Sequence, residues 1–406
     1  MGKLSRLVLL SGATGVDVSR VLDYATRRFT GIGAVKFEEF LEEVFKAPVY
    51  HAVELLLVDR KRAAEKFIEA ARRLLDYLEG YDRALVAVHI TYHRRRHIVP
   101  NPAVRVLVEA AKTVKIVSYV EDYYHALYRL ARRALEGRTP SIARGQVLDP
   151  IGYLYWRAAD QSILDLYEEA GAEVIVYANK HSREGHERLL AYVLGLEARG
   201  VRRFRKAYIS HPITKVKQRA LREYGSLRES PEVADIEEFK EKLERKCRDL
   251  IVFNPTTIDE IILDSEGRLK TRIEEDDRWP HPRDTLHDYV YPVDLADRLF
   301  DDYLYPVEET VLNPGYMHVV RSLVEAQVES RDLAYVGQAD MVIAYRPTMY
   351  CETHSGVETE IKTAAAQAKP VYAVIPEDEW RRDYTLFRFE YPLTSIDELF
   401  NLLHCY

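Results

Sequence analysis

Short apolar runs alternate with longer stretches in which apolar residues recur at helical spacing, and this alternation persists along most of the 406 residues. In the first half the runs fall at 7–10, 84–90, 114–120 and 173–178, with a shorter one at 33–36. Between them, 16–29, 61–79, 121–136 and 151–170 carry the period of a helix with one apolar face. A second series opens at 207–212 and continues at 250–255, 341–345 and 370–376. Unbroken apolar strands joined by helices predict parallel sheets covered on both faces. The basic segment 199–206 separates the two series. The expected fold is therefore α/β, two Rossmann-like three-layer domains with mainly parallel sheets, over 1–200 and 201–406. The stretch 264–315, rich in Asp, Arg, Pro and Tyr, has no period that assigns it.

Composition narrows the class. A chain that is 47% hydrophobic and 30% charged can bury two ordinary cores. Its formal net charge of -7 speaks against a surface built for nucleic acid. No apolar run approaches the ~18 residues of a membrane span, and the run Leu7–Leu10 is followed by no small-residue cleavage site, so a cytoplasmic location is expected. Cys247, Cys351 and Cys405 are too widely spaced to suggest a metal site or a disulfide framework. Many Arg, Glu and Tyr beside few Met and Cys suit a thermophile.

The first chemical signal follows the first strand. Ser11, Gly12, Ala13, Thr14 and Gly15 form a small-residue turn that opens a helix, the setting of a phosphate loop. Gly12 and Ser19 have the spacing of G-x-x-x-x-G-K-[ST], but Asp17 replaces the second Gly and Val18 the Lys. The first half thus resembles a P-loop nucleoside-monophosphate-kinase-like domain with a degenerate loop at Gly12, Gly15 and Ser19. Arg129, Arg132 and Arg133 stand where such kinases carry lid arginines. Without the Lys, phosphoryl transfer loses its main charge stabilisation. A nucleotide remains the candidate occupant of this half. The run Arg94–Arg96 reads either as an anion site or as a solvated charge run.

The second signal is near the C-terminus. The strand at 341–345 leads through a turn to a helix opened by Ser355 and Gly356, with Glu360 in its first turns and Asp332 upstream of the strand. Asp332 also fits the cap of a short helix over 333–338. A carboxylate beside the carboxyl end of a parallel strand occupies the usual ligand position of an open α/β sheet.

Four motifs in order, residues 208–213, 331–333, 339–344 and 355–361, resemble the nucleoside 2-deoxyribosyltransferase family and its nucleoside 5'-monophosphate N-glycosidase branch. The resemblance implies Glu360 as nucleophile at the anomeric carbon, Asp332 as the carboxylate near sugar and base, and Tyr208 at the pocket border. It implies a nucleoside or nucleotide substrate and active sites shared between subunits, hence a homo-oligomer. Phosphate or substrate contacts are expected from Ser210, His211, Ser355, Gly356 and Lys215. Glycosidic cleavage of this kind requires no cofactor and no metal. The alternatives are a nucleotide-binding protein without turnover and a P-loop ATPase or nucleotide kinase.

Overall fold

The computed structural model describes residues 4–13, 15–94, 97–135, 150–196, 203–258, 279–280, 282, 284–287, 314–346, 355–375 and 391–405. The chain forms two compact units. One is built on the chain up to Asn179, and the other on the chain from Lys180 and on everything after Val328, with the segment ending at Gln327 returning to the first. Among the described residues, no helix is long and apolar enough to cross a membrane.

In the first unit, β1 (Leu4–Gly12), β2 (Gly33–Lys36), β3 (Arg83–Ala87), β6 (Ala111–Val120) and β7 (Glu173–Ala178) pair in the order β2-β3-β1-β6-β7. Every pairing in this sheet is parallel. From Leu7 to Gly12 every residue of β1 is buried, as a strand covered on both faces requires. The helices α1 (Val18–Arg28), α2 (Phe37–Phe45), α3 (Val49–Val58), α4 (Arg60–Tyr77), α5 (Ala103–Glu109), α6 (Tyr123–Leu135) and α7 (Pro150–Glu169) connect these strands. Helix α4 turns Ala63, Phe67, Ala70, Ala71 and Leu74 inward at helical spacing and is capped by Asp59, whose carboxylate accepts from Arg62 N at 3.2 Å. The strand expected over 84–90 ends at Ala87, and the chain beyond it forms an antiparallel hairpin, β4 (Thr91–Arg94) with β5 (His97–Pro100). Arg94 pairs there with Glu54 at 2.8 Å, and Arg95 and Arg96 lie outside the described residues.

The second unit places β8 (Arg205–Ser210), β9 (Leu250–Phe253), β10 (Met341–Tyr345), β11 (Val371–Val374) and β12 (Tyr391–Leu393) in the order β12-β11-β10-β8-β9, again all parallel. Counted from β8, this is the flavodoxin-like order 2-1-3-4-5. Its helices are α8 (Arg183–Leu194), α9 (Thr214–Tyr224), α10 (Pro231–Lys246), the part from Val328 onward of α11 (Pro314–Gln338), α12 (Ser355–Ala366) and α13 (Ile396–Leu403). Ala207 and Ile209 point to the face where Phe239 and Leu243 of α10 and Leu399 and Leu403 of α13 close a core. By strand alternation, Tyr208 and Ser210 point to the other face.

Three expectations change. Helix α8 belongs with the second unit because the guanidinium of Arg188 donates to the carbonyls of Cys247, Leu250 and Glu244, so the division falls before α8 and not near residue 200. Asp332 caps no short helix; it lies inside the 25-residue helix α11. A disulfide joins Cys247, at the end of α10, to Cys405, after α13, across 158 residues of sequence. Spacing along the chain could not show it, since the fold alone brings the two together.

This cross-link predicts that, without reductant, one of the three cysteines is alkylated in the unfolded chain. Reduction should lower stability by roughly 5 kcal/mol, the entropic scale for closing so long a loop, which denaturant titration with and without reductant would read. Three reactive thiols in the unreduced protein would refute the pairing.

Candidate active site

The sheet order of the second unit determines where its crevice opens. The chain leaves β8 toward β9 on one side and then returns to lay β10 on the other, so the connections part between β8 and β10, where ligands bind in open α/β sheets. The register pairs Tyr208 with Val342 and Ser210 with Ala344, bringing the ends of both strands level. Beyond β10, α12 packs Val357, Ile361 and Ala364 inward. Glu360, one position before Ile361, borders that buried stripe and reaches the strand ends.

Glu360 meets two hydroxyl groups there. Tyr208 Oη donates to Oε1 at 2.9 Å, and Ser210 Oγ donates to Oε2. Both donors are fully buried. Asp332 lies in the same field, and Arg331 donates to its Oδ1 from Nε at 3.2 Å and from Nη2 at 3.1 Å. The same Nη2 reaches the carbonyl of Pro255, just past β9, at 3.3 Å. Tyr335, one turn after Asp332 on α11, stacks on Phe253 at 5.5 Å and lies 6.1 Å from the Tyr208 ring. All three rings are fully buried.

Burial pushes the Glu360 carboxyl up to about 8, the charge of Asp332 adds to the rise, and the hydrogen bonds from Ser210 and Tyr208 and the charge of Arg331 oppose it. Burial also holds the Tyr208 phenol well above its ordinary value, with the charges of Glu360 and Asp332 adding, so it stays a donor. The arrangement is an oriented carboxylate whose charge is costly until a positive centre enters, which suits attack on a carbon that develops cationic character.

The structure therefore brings together Glu360, Tyr208, Ser210 and Asp332. His211 is not among them. It turns toward α9 and α10, its ring 5.5 Å from Trp279, and burial and then the charge of Lys240 depress it well below the usual imidazole range. His211 is thus a neutral, buried ring, and its Nε2 has no hydrogen-bond partner. Lys215 is exposed in the first turn of α9, and Gly356 is exposed in the first turn of α12, where an added Cβ would meet nothing. The side chain of Ser355 and the turn 347–354, with His354, lie outside the described residues. Arg331 is the site residue that motif reading passed over, although it directly precedes Asp332.

In the first unit the turn after β1 is closed by packing. Gly15 has φ +100°, and a Cβ there would lie 2.8 Å from the Ala126 carbonyl of α6, so only Gly fits. Two backbone N–H groups of the turn are occupied, Val16 N by Ala13 O at 2.9 Å and Val18 N by Val16 O at 3.0 Å. Ser19 lies in the first turn of α1. Arg129 donates to Gly15 O at 3.1 Å and to Glu121 Oε2 at 2.9 Å, so it ties α6 to the loop. Arg132 is exposed, and the side chain of Arg133 lies outside the described residues.

Beside that loop, Glu121, Asp122 and His125 each offer one ligand-type atom within 4.8 Å of the others, the one such group of its kind among the described residues. Chain position gave no sign of it, because metal-site spacing was sought among cysteines. Glu121 accepts from both Arg129 and Asn179, and His125 Nδ1 pairs with Asp122, so all three side chains are engaged within the protein.

No protein-family description matches the chain, and no curated protein matches it. Among solved structures it is similar to a shikimate kinase from Bacteroides thetaiotaomicron, at 15% identity over 47% of this chain and 99% of that one, with a TM-score of 0.28. It is also similar to a structure of the PezAT chromosomal toxin-antitoxin system of Streptococcus pneumoniae, at 18% identity over 44% of this chain and 68% of that one, with a TM-score of 0.26. Likenesses at this level leave the chemistry to be argued from the sites themselves.

A carboxyl group raised by folding holds its proton where the unfolded chain has lost it. Its cost is therefore absent at acid pH, grows from near pH 4.5 and is complete above about 8. Glu360→Gln should stabilise the protein by roughly 1 to 3 kcal/mol at pH 8.5 and by little at pH 4.5. Chemical denaturation at both values checks this; a loss of stability at pH 8.5 would mean the carboxylate is not strained by burial.

Proposed function

We propose that the second unit cleaves or transfers the N-glycosidic bond of a nucleoside or nucleoside 5'-monophosphate, with Glu360 as the nucleophile. The observation that carries this reading is the grip of Tyr208 and Ser210 on the two oxygens of Glu360 at the carboxyl ends of β8 and β10. It is supported by the order of the four motifs, whose separate residues converge on one crevice.

In this reading the Glu360 carboxylate attacks C1' of the sugar. The C1'–N bond breaks, and its electron pair leaves with the base, which takes up a proton. Water or a second base then displaces Glu360 from C1', giving hydrolysis or transfer. Tyr208 and Ser210 hold the carboxylate in line, and Asp332 lies close enough to steady the sugar hydroxyls. An anionic 5'-phosphate would be drawn to the first turn of α12.

A second reading is nucleotide binding by the first unit. The strand order β2-β3-β1-β6-β7, with a glycine turn after the central β1, favours it. It requires Gly15 to part from Ala126 and the occupied amides to be released. Calorimetry with a nucleoside triphosphate and Mg²⁺ tests it directly: this reading predicts measurable heat, and no heat at low-micromolar protein would remove it.

For the main reading, the wild-type protein incubated with a pool of nucleosides and 5'-monophosphates should release free base, and Glu360→Gln should release it at least ~1,000-fold more slowly. Because attack needs the ionised carboxylate, kcat/KM should rise with pH and level off above about 8. Equal rates for wild type and Glu360→Gln would remove Glu360 from the chemistry.

A further inference from the structure

Two carboxyl groups share the crevice of the second unit, and among the described residues the cation set against them is Arg331. Its side chain is 10% exposed, and that of Asp332 12%. Both its Nε and its Nη2 converge on one Asp332 oxygen, while Nη2 also reaches the Pro255 carbonyl. The guanidinium is therefore fixed at both ends, to α11 and to the chain leaving β9. A fork with these two anchors has one geometry, which a flexible ammonium would not reproduce.

The groups that face Glu360 are Tyr208 and Ser210 from β8 and Arg331 and Asp332 from α11. The two hydroxyls are neutral, Asp332 opposes ionisation and Arg331 favours it. We propose that Arg331 is a positioning residue that clamps the Asp332 carboxylate and supplies the countercharge allowing Glu360 to act as an anion beside it. Arg331 acts through its charge and through Asp332. The role rests on the glycosidic reading for its chemistry, but the clamp itself can be read without turnover.

Removing the cation should make Glu360 harder to ionise, and removing the neighbouring anion should make it easier. Arg331→Gln should move the rising limb of kcat/KM against pH upward by about one unit, the lower end of the usual effect of a nearby charge. Arg331→Lys should restore part of that shift, because it returns the charge without the fork. Asp332→Asn should move the limb downward.

The independent arm is stability against pH, taken as the difference between each protein and the same protein carrying Glu360→Gln, which isolates the Glu360 contribution. The midpoint of that difference should rise in Arg331→Gln and fall in Asp332→Asn. If Arg331→Gln does not fold, Arg331→Lys and Asp332→Asn carry the test in both arms. Opposite displacements for the Arg331 and Asp332 variants support the clamp. An unmoved midpoint in Arg331→Gln or Asp332→Asn overturns it, even if activity falls, since that fall would reflect scaffolding. Absence of base release by wild type would count against the glycosidic reading, and the stability arm would still decide the clamp.

Discussion

A carboxylate withdrawn from water is the constraint around which the second unit is arranged. Glu360 is partly buried between α12 and the strand ends, and such a group persists only if hydrogen bonds and nearby charge offset its lost hydration. Tyr208 and Ser210 supply the bonds, and they can do so because strand alternation puts both on one face of β8. Ala207 and Ile209 use the opposite face to hold the sheet against α10 and α13. One short strand thus serves the core with half its side chains and the crevice with the other half.

The first unit meets a comparable demand differently. At the carboxyl end of β6, Glu121 and Asp122 are buried and answered by Arg129, His125 and Asn179. Gly15 closes on α6, and the turn that sequence alone marks as a phosphate cradle is packed. Here the buried polar groups find their partners within the protein. In the second unit burial leaves the Glu360 carboxyl raised, which is the feature the proposed chemistry uses.

What the sequence disclosed follows from how locally each feature is determined. Strands β1, β7 and β10 carry unbroken apolar runs, and a doubly covered parallel strand needs nothing else. The hairpin of β4 and β5 was hidden because its pairing places His93 opposite Ile98 and Arg94 opposite His97, a pattern without apolar alternation. Helix α11 was hidden as well, its apolar positions too evenly spread to show a face, and with it went the setting of Asp332. Glu360, Tyr208, Ser210 and Asp332 were legible as separate residues through their motifs. Their convergence depends on the register of β8 with β10, and the role of Arg331 depends on a carbonyl 76 positions away. The turn of His211 toward Trp279 and the pairing of Cys247 with Cys405 are likewise decided by packing between distant segments.

The central claim is that Glu360 forms a bond to the anomeric carbon of a sugar. The direct measurement is mass spectrometry of protein quenched in acid during turnover of a nucleoside or nucleoside 5'-monophosphate, followed by peptide mapping. The account predicts a glycosyl adduct on the peptide bearing Glu360, absent from Glu360→Gln. An adduct on Asp332, with the Glu360 peptide unmodified, would contradict it.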